Sequence, residues 1–320
     1  MGNEVIDTGL GNIYRSWFVY RKGKKASIDL DIFQYNLEKE LRNLAKDLGN
    51  GTYKHGSYRK FTVRDNKKRE ISVATVRDRV VHRLVYDYLT GIYDKTFIYD
   101  AWSCRIGKGL MGAIDRTQLF MKKHGNGFVW RADVKKFFDN VSHDVLLNIL
   151  KLKIKDEKAI QLITGIIKSF SKGKGKGMPI GNLTSQIFSN IYLNELDRYM
   201  KHEPKIKAYL RYGDDFLIFN NDKDYLEKIK ILTANFLKDK LSLELHAKNN
   251  YIVKTKHGLK FLGMVLSPNE KRINKRNYKK LKLNLNTINM SSYWGIVKKH
   301  SNAEIIQEFQ WRLLEKMSQL

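Results

Sequence analysis

Two short apolar runs, Ala208–Arg211 and Phe216–Asn220, clasp the tetrapeptide Tyr212-Gly213-Asp214-Asp215. Each run reads as a strand. Gly213 can adopt a backbone conformation that most residues resist, so the segment reads as a tight strand-turn-strand. Adjacent carboxylates at such a tip, among Leu210, Phe216, Leu217 and Ile218, repel one another and are costly unless cations neutralise them. Mg2+ prefers a few carboxylates together with phosphate oxygens and water. Considered alone, an ordinary Asp-rich surface hairpin explains the pair equally well.

Asp133 changes that balance. It ends a strand, Gly127–Val134, that carries Phe128-Val129-Trp130-Arg131-Ala132. An unpaired charge at the end of a buried strand is expensive, so the carboxylate needs a purpose. If this strand neighbours the acidic hairpin, three carboxylates converge and two metal ions could clamp an in-line phosphoryl transfer. Asp139, a few residues on, reads as a local cap or ion-pair partner.

The surrounding pattern can build such a sheet. A helix is expected over 29–49, a basic hairpin from Tyr58–Val63 and Glu70–Ala74 about a turn at Asp65-Asn66, and a helix over Val76–Leu89. Then come a helix from Ser142, its N-cap, to Lys151, another over Leu162–Phe170, and a Gly/Lys loop, Ser171–Gly181. A helix capped by Asn182 runs Leu183–Met200, a further helix covers Tyr225–Lys240, and Lys260–Leu266 is a short strand. The tail from Arg276 reads as largely helical. In the middle the order is strand, helix, helix, strand-turn-strand, helix, strand, close to a split βαβ sheet with helices on one face.

Composition narrows the partners. Sixty Lys and Arg against 33 Asp and Glu give 320 residues a formal charge of +27. That excess is spread along the chain and points to nucleic acid, not to a membrane surface. Apolar residues at 42% are enough for a real core. A single cysteine, Cys104, excludes an internal disulfide and a Cys-rich zinc site. The first twelve residues lack a signal pattern, Ile6 stands where a myristoylation motif wants Ser or Thr, and no apolar run approaches a membrane span, so a cytoplasmic protein is expected.

At this point the motifs resemble those of reverse transcriptases, in the same order. They are Lys68-Arg69-Glu70-Ile71, Val76 to His82, Phe97 to Gly109, Asp133 to Asn140, Gly177 to Gln186, Tyr212 to Asp215 and Phe261-Leu262-Gly263. The resemblance runs from about Leu30 to His300. The chain looks most like bacterial enzymes of diversity-generating retroelements, because Ile180-Gly181-Asn182-Leu183-Thr184-Ser185-Gln186 follows their form. Gly213 departs from that subfamily, which usually carries Met or Ala there. Defense-associated reverse transcriptases share parts of these motifs, while retron and group II intron enzymes resemble the chain less.

The resemblance implies an α/β (α+β) right-hand polymerase with fingers, a ferredoxin-like palm and a short helical thumb. The expected division is 1–126 for the N-terminal region and fingers, 127–265 for the palm with a fingers insertion at about 150–182, and 266–320 for the thumb. It implies two Mg2+ ions (Mn2+ as the alternative) on Asp133, Val134, Asp214 and Asp215. Lys248 resembles the lysine that protonates departing pyrophosphate; a surface lysine is the commoner fate of that residue type. Lys67 and Arg69 resemble residues that hold the triphosphate, Arg69 offering the planar fork; a solvated turn explains Lys67 nearly as well. Phe138 resembles a steric gate against a 2′-hydroxyl, with core packing as the plainer account. Gln186 lies by resemblance near the nucleotide and templating base.

Lys174 and Lys176 sit on a Gly-rich loop able to approach phosphates, or on a mobile linker. Phe261, Leu262 and Gly263 resemble the primer grip. Lys275, Arg276 and Lys279 belong to a basic cluster, with Lys271, Arg272, Lys280 and Lys282, that suits a duplex backbone, or solvent. The implied partners are an RNA template, a DNA or RNA primer, dNTPs, a structured noncoding RNA and an accessory protein. Other readings are antiphage defense with a dedicated noncoding RNA, an RNA-dependent RNA polymerase, and an inactive RNA-binding scaffold.

Overall fold

The computed structural model describes residues 5–64, 68–301 and 303–318. Helices α1 (Leu10–Arg21), α2 (Ile28–Tyr35) and α3 (Leu37–Gly49) open it. The single helix expected over 29–49 is broken at Asn36, whose side-chain amide donates to the Ile32 carbonyl at 3.2 Å. A short polar side chain that bonds its own backbone competes with the helical ladder. The hairpin β1 (Arg59–Arg64) and β2 (Lys68–Val73) follows, then α4 (Val76–Tyr93) and α5 (Leu110–Lys123). The expected turn at Asp65-Asn66, and Lys67, lie outside the described residues.

Next come β3 (Phe128–Val134), the single turn α6 (Phe137–Asn140), α7 (His143–Lys153), α8 (Glu157–Lys168) and α9 (Leu183–His202). Ser142 caps α7 as expected, its hydroxyl oxygen accepting from the Val145 amide. Asn182 does not cap α9. Its amide nitrogen donates to the Ser72 carbonyl at 2.7 Å and its oxygen accepts from the Ala74 amide at 3.3 Å. It is therefore a rivet between the β1–β2 hairpin and the start of α9. The Gly181 backbone has φ +108, and an added Cβ would stand 2.8 Å from an Ile71 methyl, so only glycine permits this approach.

The remaining elements are β4 (Tyr209–Tyr212), β5 (Asp215–Asn220), α10 (Lys223–Leu241), β6 (Leu245–Lys254), β7 (Leu259–Phe261), β8 (Met264–Leu266), β9 (Lys271–Ile273) and helices α11 (Lys275–Leu283), α12 (Met290–His300) and α13 (Ala303–Ser318). The central sheet has order β4-β5-β3-β6, antiparallel throughout. Its fourth strand is thus β6, not 260–266. That later segment is a hairpin paired to β9 in a separate three-stranded sheet, which runs across the expected boundary at 265/266.

Strand alternation sends Trp130, Ala132, Phe216 and Ile218 into one core with α4, α7, α9 and α10. Val129, Leu217 and Phe219 point the other way, into a second core with α5, β7–β9 and the C-terminal helices. The sheet is buried on both faces, where helices on one face were expected. No described helix is long and apolar enough to cross a membrane.

Candidate active site

The site lies where β3 and β5 end together. Their register sets Asp133 directly opposite Asp215. Beside that pair the Val134 amide donates to the Asp214 carbonyl at 3.2 Å, which pins the hairpin tip to the end of β3. Gly213 turns the corner at φ +64. Asp133, Asp214 and Asp215, distant in sequence, therefore hang from one rim of the sheet. Burial, then the charge of Asp133 and, more weakly, of Asp215, pushes the Asp214 carboxyl up to about 6, against the pull of Arg69. Burial also raises Asp215, and Arg131 opposes that rise.

Beneath the turn sits a buried ion pair. Arg211 grips Asp197 through two bonds of 2.8 and 2.6 Å, both side chains essentially inaccessible. Its remaining nitrogen donates to the Gly213 carbonyl at 2.9 Å and to the Asn190 amide oxygen at 3.3 Å. Tyr209 adds a 2.6 Å hydrogen bond to Asp197. The acidic turn thus rests on α9 through a guanidinium that satisfies four oxygens at once.

The other expected residues lie on several elements. Arg69, exposed on β2, is close enough for Asp214 to feel its charge. Phe138 is half-buried and packs edge-on to Phe137 at 5.4 Å. Gln186 is exposed in the first turn of α9. The loop with Lys174 and Lys176 is a tight, hydrogen-bonded turn: the Lys172 amide donates to the Lys176 carbonyl, the Lys176 amide to the Gly173 carbonyl, and the Gly175 carbonyl accepts from the His143 amide. Phe261 is buried, while Leu262 and Gly263, both with positive φ, make the two-residue turn of β7–β8. Lys275, Arg276 and Lys279 are exposed on α11. Lys248 is exposed where β6 bulges away from β3.

The profile of the family described as Reverse transcriptase (RNA-dependent DNA polymerase) matches residues 54–266, two-thirds of the chain. The chain belongs to the reverse transcriptase family. Among curated relatives of this reverse transcriptase, protein YkfC of Escherichia coli K12 is 25% identical, over 74% of the chain and 73% of its own length. The group II intron-encoded protein LtrA of Lactococcus lactis subsp. cremoris is 24% identical, over 78% of the chain and 53% of LtrA. A putative COX1/OXI3 intron 2 protein of Saccharomyces cerevisiae is 24% identical over 72% of the chain and 35% of that protein. The chain thus spans from about a third to three-quarters of these relatives. In fold it resembles apo telomerase from Candida tropicalis, with TM-score 0.52 at 14% identity over 77% of the chain and 60% of the telomerase. It also resembles telomerase from Candida albicans in complex with telomeric RNA, with TM-score 0.54 at 12% identity over 89% of the chain and 61% of the telomerase.

Members of this family work with divalent metal ions, and the donor set fits them: crowded carboxylates, one of them kept hard to ionise, favour a hard cation. Among the described residues, however, no three acidic, imidazole or thiolate side chains form a finished metal cluster. Two residues missed by sequence reasoning engage these carboxylates. Arg131 takes both oxygens of Asp215, at 3.1 and 2.7 Å. Asn249 donates to Asp133 at 3.0 Å. Arg131 had a legible signal, a charge inside an apolar strand two residues before Asp133 and hence on its face. Asn249 had none, because β6 itself was not recognised.

Proposed function

We propose that this reverse transcriptase is an RNA-directed DNA polymerase that extends a DNA or RNA primer along an RNA template with dNTPs. What carries the reading is the register that opposes Asp133 to Asp215, with Val134 bonded to Asp214 beside them. Two divalent cations, Mg2+ or Mn2+, held by the three carboxylates and the Val134 carbonyl, would supply charge to activate the primer 3′-oxygen and to offset the leaving pyrophosphate. In this reading Arg69 and Lys67 hold the triphosphate, Phe138 excludes a 2′-hydroxyl, Gln186 contacts the nucleotide and templating base, and Lys248 gives a proton to pyrophosphate. The β7–β8 turn holds the primer end, and Lys174, Lys176, Lys275, Arg276 and Lys279 follow the phosphate backbone. In this reading residues 1–126 form the N-terminal region and fingers, 127–265 the palm with its insertion, and 266–320 the thumb.

The biological setting we propose is a diversity-generating retroelement in the cytoplasm, with a structured noncoding RNA and an accessory protein supplying specificity. Ile180 to Gln186 supports that assignment. A neighbouring template repeat and variable repeat in the genome would bear it out, and defense genes in their place would move the enzyme to antiphage defense. Phe138 argues against an RNA-dependent RNA polymerase, and the three intact aspartates against an inactive scaffold. Primer extension with purified protein, RNA template and labelled dNTPs tests the activity: metal-dependent incorporation is expected, and Asp214→Ala should abolish it. No incorporation by the unaltered chain, even with its native RNA, would favour the scaffold.

A further inference from the structure

We propose that Arg131 is a positioning residue that ties Asp215 to the β7–β8 hairpin and competes with a divalent cation for the Asp215 oxygens. The proposal rests on the polymerase reading above for what the hairpin does, but not for the competition itself. Arg131 lies on β3 two residues before Asp133, so both side chains leave the same face of the sheet. Its Nε and Nη2 donate to the two oxygens of Asp215 in a bidentate fork, at 3.1 and 2.7 Å. Its Nη1 donates to the carbonyl of Lys260, on β7. The guanidinium carbon stands 5.8 Å from the centre of the Phe261 ring. Arg131 and Asp215 are only 17% and 18% exposed, so water screens the pair little.

These contacts have two consequences of opposite sign. Asp215 shares its rim with Asp133 and Asp214, and Arg131 is the counter-charge that makes the crowding bearable. A cation recruiting Asp215 meets the Arg131 charge beside it and two oxygens that already accept Arg131 N–H groups, so Arg131 weakens cation binding. The same guanidinium reaches Lys260, one residue ahead of the Phe261-Leu262-Gly263 turn. That turn is strained, since Leu262 is held at φ +49, a left-handed conformation unfavourable for a branched side chain. A fixed anchor on its N-terminal strand keeps the turn in register with the acidic rim. A lysine could meet one partner at a time, whereas the planar fork meets both. Loss of Arg131 should therefore tighten cation binding while loosening the primer end. A residue that merely supports the fold would weaken both.

The test uses the full chain, unaltered and as Arg131→Gln, Arg131→Lys and Asp215→Asn, alone and with Arg131→Gln. Mn2+ binding is measured without nucleic acid, by electron paramagnetic resonance of the free ion. The KM for primer-template and for dNTP are measured by extension. Arg131→Gln is expected to bind Mn2+ several-fold more tightly and to raise the primer-template KM about tenfold, the scale of a lost charge-assisted hydrogen bond, with little change in the dNTP KM. In the Asp215→Asn background the Mn2+ gain should vanish. Unchanged or weaker Mn2+ binding in Arg131→Gln overturns the proposal, as does a gain that survives Asp215→Asn. If Arg131→Gln does not fold, Arg131→Lys decides, with a smaller gain and a smaller KM rise expected and neither being the overturning result. Tighter Mn2+ binding beside an unaltered chain that extends no primer upholds the competition and overturns the polymerase reading alone.

Discussion

Asp214 is where the cost of the site can be read from a single group. Its carboxyl titrates at about 6 in the fold against an ordinary value of 3.8. The folded protein therefore holds that proton more tightly than the unfolded chain does. Stability from this group is full below about pH 4 and is lost as pH rises through 6, by about 1–3 kcal/mol for a shift of this size. Asp214→Asn should accordingly be more stable than the unaltered chain at pH 7.5 in the presence of a chelator, and no more stable at pH 4. Urea titrations across that range decide it, and equal stability at pH 7.5 would refute the buried-charge account. Arg211 poses the converse case. Arg211→Met leaves Asp197 charged, buried and unpaired, a loss of roughly 3–5 kcal/mol. Adding Asp197→Leu should restore much of the stability, yet extension should stay low because the Gly213 carbonyl has lost its donor. Recovery of activity along with stability would remove Arg211 from the turn's support. At Phe138, the proposed steric-gate role predicts that Phe138→Ala admits ribonucleotides in extension assays. Unchanged sugar discrimination would return Phe138 to plain core packing.

At the scale of elements, the decisive joint is the one between the β1–β2 hairpin and α9. Asn182 makes both of its side-chain bonds to β2 or the residue after it, and the Ser72 amide donates to the Ile180 carbonyl at 3.1 Å. Asn182→Ala strips partners from two buried backbone groups, at about 1–3 kcal/mol. Arg69, which we propose holds the triphosphate, rides on that hairpin, so the KM for dNTP should rise while the KM for primer-template holds. Steady-state kinetics with each substrate varied in turn would show it, and a rise confined to primer-template would contradict it. This joint also marks how far the sequence can be read. The strands around Asp214 were legible because apolar runs bounded by Gly and Asp have few other solutions. Ser142 was legible as a cap because its bond is local. Asn182 looks identical on paper, yet its partners are more than a hundred residues away, and tertiary bonding overrode the cap. The strand β6 was illegible because Lys248, Asn249 and Asn250 break its apolar alternation, and the bulge opposite Asp133 shifts its register. Asn249, which bonds Asp133, went unread for the same reason.

Across the whole molecule the charge of +27 matters less than which cations are left uncommitted. In the C-terminal helices, Lys282 bonds Glu308 at 2.9 Å, and Glu308 also accepts from Tyr278 at 2.7 Å and from Arg312 at 3.3 Å. The Lys282 and Tyr278 bonds lock α11 against α13, and the single Glu308 carboxylate neutralises part of the Lys282 and Arg312 charge within the protein. Lys275, Arg276 and Lys279 are exposed on α11 and have no acidic partner among the described residues. A polyanion binding this region releases its own counterions to the extent that it meets free cations. The slope of log affinity against log salt therefore counts them, at a little under one per phosphate contact on a duplex. Replacing Lys275, Arg276 and Lys279 together with alanine should flatten that slope by roughly two to three and leave the melting temperature unchanged. Lys282→Ala should do the opposite, lowering the melting temperature through the loosened helices while the slope stays within about half a unit. Filter binding of an RNA–DNA duplex over a salt series, run beside thermal melts, separates the two. If the triple variant kept the full slope, the electrostatic contact would lie elsewhere on the chain, and α11 would be only a solvated basic helix.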